Sequence, residues 1–163
     1  VLNARGLWGG VAINGSATQN TASGYAQGEG FTGEYGGGTS PNDSDNSGSM
    51  TYVQIRYAGY PITADDELNT ISLHAVGSGT TLDYIHSHNG ADDGIEFYGG
   101  TVNAKHILIT GQDDDALDWT NGWTGNLQHV VIKHTTSGDN CIEADTLGQT
   151  QLPLRALIPR SQT

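Results

Sequence analysis

The sequence predicts an all-β chain, a right-handed parallel β-helix of about five to six coils. Three observations carry that expectation. The phrase Asp92-Asp93-Gly94-Ile95-Glu96-Phe97-Tyr98 is answered 22 residues later by Asp114-Asp115-Ala116-Leu117-Asp118-Trp119-Thr120. A repeat of that length is a unit that cannot bury its apolar face alone and must stack on copies of itself. The 163 residues include 24 glycines and only 35% hydrophobic residues, which suits a thin core with many turns. No stretch keeps an apolar 3.6-residue period for about ten residues, so helices have no place.

Taken in order, residues 1–146 form the β-helix domain. Leu7-Trp8-Gly9-Gly10-Val11-Ala12-Ile13-Asn14-Gly15 reads as a strand between turn glycines. Residues 16–49 are a long polar, glycine-rich insert, either a loose excursion from one rung or a loop that closes over a binding face. From Met50 the rungs begin. Tyr52–Tyr57 aligns with Tyr84–Asn89, His106–Gly111 and His129–His134, the first spacing being widened by the loop Pro61–Glu67. In the second half of each unit, Asn69–Ser72 aligns with Asp93–Glu96, Asp115–Asp118 and Asn140–Glu143. Two short strands per unit, with like residues in register, argue for parallel stacking over a hairpin sandwich. Residues 147–163 hold no Asp or Glu and match no rung; this tail is read either out of frame or as a cap.

Charge and cysteine content narrow the functions. Six Lys and Arg stand against 18 Asp and Glu, a net charge of −12. That excludes nucleic acid as a partner, because phosphate binding runs on positive charge. The balance suits a secreted protein or one that binds cations. No run reaches membrane-spanning length. Cys141 takes the position of Gly94 and Ala116, which reads as small core filler or as a reactive thiol.

Stacking turns sequence columns into ladders. One column reads Asn69, Asp93, Asp115, Asn140, and another Ser72, Glu96, Asp118, Glu143. Carboxylates held one rung apart need protons or cations between them. The expected metal ligands are Asp92, Asp93, Glu96, Asp114, Asp115 and Asp118. The expected ion is Ca²⁺, which takes oxygen ligands in irregular geometry; the competing reading is solvated turn residues that cap backbone N–H groups. His86 and His88 share a strand face and have the spacing of a metal pair. Arg56, His88, Thr110 and Lys133 form a further column. A calcium-assisted lyase would use Arg56 or Lys133 as base, and a hydrolase would draw on carboxylates such as Glu96 and Asp118. Tyr98, Trp119 and Trp123, near the turns, are candidates for stacking on sugar rings; Phe97 and Trp119 have the alternative of an internal aromatic stack.

The segments GLWGGVAING, YVQIRYAGY, ELNTISLHAVGSGTT, HNGADDGIEFYGGTVNAKH and GDNCIEAD resemble secreted bacterial β-helix repeat proteins, often lipoproteins, whose fold is similar to that of pectate lyase. The resemblance covers roughly residues 6–146. In that group the chain starts earlier and runs further, which implies an internal fragment here. It implies bacterial extracellular or cell-surface localisation and transfers no catalytic residue. The function expected is a non-catalytic module whose acidic, calcium-binding face meets polysaccharide or cell-envelope partners. A polysaccharide lyase or glycosidase, and a fragment with no function of its own, are the alternatives. Bare solenoid ends lead to an expected homo-oligomer.

Overall fold

The computed structural model describes residues 4–63, 66–135 and 137–146; the tail 147–163 lies outside them. The strands are β1 (Val11–Asn14), β2 (Ala26–Gly28), β3 (Gly33–Tyr35), β4 (Ser49–Arg56), β5 (Pro61–Thr63), β6 (Asp66–Glu67), β7 (Ile71–His74), β8 (Thr81–His88), β9 (Ile95–Tyr98), β10 (Asn103–Thr110), β11 (Leu117–Thr120) and β12 (Leu127–Lys133). Two four-stranded sheets, wholly parallel, dominate: β1-β7-β9-β11 and β4-β8-β10-β12. Each turn of chain gives one strand to each sheet, which is the parallel β-helix expected.

The register matches the sequence columns. Ser72 pairs with Glu96 and Glu96 with Asp118; Arg56 pairs with His88, His88 with Thr110, and Thr110 with Lys133. Four rungs are complete among the described residues, and a bridge from Leu117 to Ile142 begins a fifth. The count falls at the low end of the expected five to six because residues 16–48 build no coil.

The expected two strands per unit are three straight segments. In the second sheet every strand is bent at one residue in the left-handed region: Tyr52, Tyr84, His106 and His129, with φ between 53 and 59°. Each of these four has no ladder partner at its position. A left-handed conformation costs a non-glycine residue about 1–2 kcal/mol. Their rings offset part of that by stacking in a column, with centroids 4.6, 4.3 and 4.9 Å apart and planes within 13° of parallel.

The core lies between the sheets. Ile71, Leu73, Ile95, Phe97 and Leu117 face Ile55, Ile85, Ile107 and Ile109, all nearly or fully buried. Such a side chain contributes about 1.5–3 kcal/mol on burial. Phe97 stacks on Trp123 at 4.4 Å, and Trp119 lies 5.5 Å from the same indole. The aromatic column is therefore internal, joined through Trp123.

The insert is no loose excursion. Residues 16–48 pack as a strap on the outer face of β7 and β9. In it β2 and β3 form an antiparallel ribbon. The Tyr35 ring, buried, stacks on His74 at 4.6 Å and meets Tyr98 edge-on. A Cβ on Gly28 would fall 2.8 Å from the His74 ring, so the strap backbone lies directly on the imidazole. β7 and β9 are consequently buried at all four positions. β8 and β10, with no strap over them, alternate between buried and more open positions.

Two expectations are corrected here. Tyr98, expected to be free to stack on sugar rings, is buried under the strap, while Phe97 points into the core in keeping with the internal-stack alternative. Cys141 does take the Gly94/Ala116 position, yet it is exposed, because no described strand packs over the last rung.

Candidate metal centre

The acids sit where the chain turns from the second sheet into the first. Asn89 and Gly111, both at positive φ, reverse the backbone after β8 and β10. The pairs Asp92-Asp93 and Asp114-Asp115 follow directly. Position 94 has no room for a side chain: a Cβ there would lie 2.5 Å from the Ala116 carbonyl oxygen. Small residues at 94 and 116 let the acid-bearing corners stack closely.

Each corner acid ties one rung to the next. Asp93 Oδ1 accepts the Asp115 backbone N–H at 3.0 Å, and Asp115 Oδ1 accepts the Asn140 N–H at 2.6 Å. So the capping role belongs to one oxygen of each carboxyl, and the Asp115 carboxyl also hydrogen-bonds Glu143. Oxygens of three overlapping triads come within 4.8 Å of one another: Asp92/Asp93/Asp114, Asp93/Glu96/Asp118 and Asp114/Asp115/Asp139. All six acids expected as metal ligands fall in these triads. Asp139 joins them from the last corner.

The inner triad is enclosed. Asn69 Nδ2 donates to Glu96 Oε2 at 2.6 Å and to the Tyr98 hydroxyl at 3.0 Å. Tyr98 donates onward to Glu29 Oε2 of the strap at 2.7 Å. Burial, then Glu96 and Glu29, push the Tyr98 phenol up, so it remains a donor. Glu96 and Asp118 hydrogen-bond to each other. Burial raises both carboxyls, Glu96 the more strongly, so Glu96 holds the shared proton at neutral pH. Burial, then Asp92, Asp118 and Asp114, raise Asp93 to about 9. Burial, then Glu67, Asp114 and Glu29, raise Asp92 to about 7. Burial first and then Asp115 and Asp139 raise Asp114.

These oxygens fit a hard divalent cation. All the donors are oxygen, several are held neutral only by crowding and burial, and Asn69 Oδ1 is a buried acceptor with no partner beside Glu96. Asp92, Asp93 and Asp114, or Asp114, Asp115 and Asp139, would hold an ion at the open corner; Asp93, Glu96 and Asp118 would hold one inside.

The bases expected for catalysis are elsewhere. Arg56 ends β4 and Lys133 ends β12, both in the second sheet, while Glu96 and Asp118 lie in the first. None of the charges that shift Asp93, Glu96 or Asp118 comes from either of them. Arg56 instead covers the Tyr57 ring and donates to its hydroxyl at 2.7 Å. Trp119 and Trp123 are half-buried, and the Trp123 Nε1–H donates to the Val102 carbonyl. His86 and His88 do share one strand face, their rings 5.5 Å apart and both hydrogen-bonded to the Thr110 hydroxyl.

Sequence reasoning missed Glu29, which arrives from the strap, and Gln112. The Gln112 side chain is fully buried, accepts the Gly90 N–H and donates to Ser87 Oγ. It follows the corner glycine Gly111, and a polar residue at that place was the only signal.

No helix among the described residues is long and apolar enough to cross a membrane. A family model described as a pectate-lyase like beta helix domain matches residues 2–160. No curated protein matches the chain, and no solved structure does.

Proposed function

The chain belongs to the pectate-lyase-like β-helix family, and we propose that it serves as a non-catalytic extracellular module whose acidic corner binds Ca²⁺ and meets polysaccharide or cell-envelope partners. The observation that carries the reading is the unbroken run of triads from Asp92 to Asp139, in which neighbours share members. Without an ion, such a run must take up protons; with one, the protons leave and the carboxylates become ligands. Calcium suits the site better than a transition metal, since neither imidazole nor thiolate belongs to the triads. Bound calcium would supply charge neutralisation and a bridge to the carboxylates or hydroxyls of a glycan.

The test is thermal melting at pH 7.5 in calcium against chelator. At a hundred times the dissociation constant, bound ion stabilises by about 2.7 kcal/mol. The midpoint is expected to rise with calcium, and Asp114→Asn to remove most of the rise. An unchanged midpoint ends the calcium reading. The pH dependence provides a second check. Asp92 and Asp93 are raised in the folded chain, so their contribution is full below the unfolded value and is lost as pH climbs through about 7 and about 9. In chelator, stability therefore declines from pH 5 to 9, and calcium flattens that decline.

One observation favours an enzyme: the directly hydrogen-bonded pair Glu96/Asp118 resembles a general acid beside a second carboxylate. The contact is shorter than glycosidase carboxyl separations of about 5 Å or more, and Asn69, Tyr98 and Glu29 close over it. A lyase would in addition need a base beside the acids. Incubation with polyuronates decides this, and an ultraviolet absorbance rise from unsaturated product would replace the module with a lyase.

A further inference from the structure

The strap meets the coil along an imperfectly matched seam. Among the described residues, five buried side-chain polar atoms lack a partner, and four belong to this seam: Gln19 Oε1 and Thr32 Oγ1 from the strap, His74 Nε2 and Asn69 Oδ1 from the coil. Unmatched groups cost energy while the seam is shut and find water when it opens. The part best placed to open is the hairpin made of β2, the single 3-10 turn Glu29–Phe31, and β3. Its two ends, Gly24 and Gly36, are both at positive φ, and a Cβ on Gly36 would strike the Gly24 carbonyl, so the chain leaves and returns at one narrow neck. Its tip reaches the acids through a chain of hydrogen bonds. Glu29 Oε2 accepts from Tyr98, whose hydroxyl accepts from Asn69 Nδ2, and Asn69 Nδ2 also donates to Glu96 Oε2. Asn69 is 2% exposed, and its unpartnered Oδ1 belongs to the same amide that is turned onto Glu96.

We infer that this hairpin is a cation-responsive cover of the inner acids, held down by an ion at Asp93, Glu96 and Asp118 and loosened when the ion leaves. The inference rests on the calcium reading above and adds the strap to it. Its sign follows from Glu29, which acts through Tyr98 and by its charge, not as a ligand. Without an ion, the Glu29 carboxyl of the shut hairpin adds like charge to a crowded corner, where it is among the charges that raise Asp92. With an ion, the same carboxyl faces a double positive charge. That attraction is worth about fivefold in affinity where water screens it. Shut, the hairpin also fixes Tyr98 and Asn69, which orient Glu96 as a ligand. The coupling is reciprocal: whatever factor the ion adds to closure, closure adds to ion affinity.

Amide hydrogen exchange of the full chain, in calcium and in chelator, reads the cover, and calorimetric titration with calcium reads the site. Calcium is expected to slow exchange at residues 24–36 about tenfold or more, and by clearly more than in β8 and β10, which have no strap over them. Glu29→Gln keeps an acceptor for Tyr98 and removes the charge. It is expected to bind calcium about fivefold more weakly and to lose the same factor from the extra protection that calcium gives the hairpin. Glu34→Gln, an exposed acid of the same ribbon, is expected to stay within about twofold. An unchanged circular dichroism spectrum verifies both folds. Calcium binding with no extra protection of the hairpin overturns the inference and leaves the calcium reading standing. Equal slowing in β8 and β10 does the same, since it reports general stabilisation. A Glu29→Gln protein that binds calcium and protects its hairpin like the wild type also overturns it. Absence of calcium binding, by titration and by melting, removes the calcium reading and this inference with it.

Discussion

The two sheets are built from the same rungs in the same register, yet the middle strands of one, β7 and β9, are covered on both faces and those of the other on one. β7 and β9 bury Ser72, His74, Glu96 and Tyr98 on their outward side, while the matching outward positions of β8 and β10 hold His86, His88, Leu108 and Thr110, none of them buried. The strap makes the difference. It turns an alternating strand into one buried throughout, so that polar side chains there need partners from the strap or a cation. The open sheet satisfies its polar groups with neighbours on the same face and with solvent. A polar residue thus has different consequences on the two sides of one coil: cost and pKa shift under the strap, and an available binding group on the open face.

The largest expected effect tests what the sheets share. Phe97 is fully buried between them and stacked on Trp123. Phe97→Ala should cost about 3–5 kcal/mol and lower amide-exchange protection in both sheets. Loss confined to β9 and β11 would mean that the two faces are separate cooperative units. Tyr35→Ala comes next, at roughly 2–4 kcal/mol. It removes the ring that clamps the strap on His74 and should deprotect residues 16–48 and β7 while β8 and β10 keep their protection. Equal deprotection of β10 would break the contrast drawn between the sheets.

A smaller effect reads the strap electrostatically. His74 Nδ1 contacts Asn14 Oδ1 at 2.7 Å, and since that oxygen only accepts, Nδ1 carries the proton; Nε2 is buried without a partner. Burial lowers the imidazole to about 4. A base depressed in the folded chain stabilises above its unfolded value and loses that contribution as pH falls from about 6.5 to about 4. The loss is roughly 3 kcal/mol at most, from 1.36 kcal/mol per pH unit. His74→Phe keeps the stack between Tyr35 and Tyr98 and should remove this acid-side loss. Urea midpoints of both proteins at pH 7 and pH 4.5 measure it, and parallel lines would show that His74 does not titrate under the strap.

How much of this was legible follows from the same contrast. The paired columns from Met50 onward were readable, because like residues recur at like spacing and parallel register preserves that order; the pairing of β1 with β7 was not, because the long insert separates them. The clustering of the six acids expected as metal ligands was readable from the same recurrence. The strap was not. Its contacts join residues as distant as Tyr98 and Glu29 through a polar, glycine-rich segment with no period to read. Tyr98 shows the consequence: period two puts it on the outer face correctly, but outside the coil is not outside the protein. The bend of the second sheet was hidden in another way. Its left-handed positions hold Tyr and His where glycine would have marked them, and only the stacked rings explain why those residues suffice.

The smallest effect is expected at Asp83, and it decides what holds that ring column. Burial pushes its carboxyl up, but the hydrogen bond from His106 and the nearby Lys105 outweigh this and hold it below the usual range. A depressed acid stabilises above its unfolded value of about 3.8 and loses that contribution only as pH falls below it. On the open face the pair is screened by water, and exposed ion pairs contribute little. If the column Tyr52–Tyr84–His106–His129 is set by backbone bends and ring stacking, Asp83→Asn should melt with the wild type at pH 7 and keep its amide-exchange pattern. A fall in midpoint as large as that of Tyr35→Ala would show that the ion pair positions His106 and, through it, the column. The open sheet would then depend on specific polar partners as much as the covered one, and the contrast between them would reduce to solvent access alone.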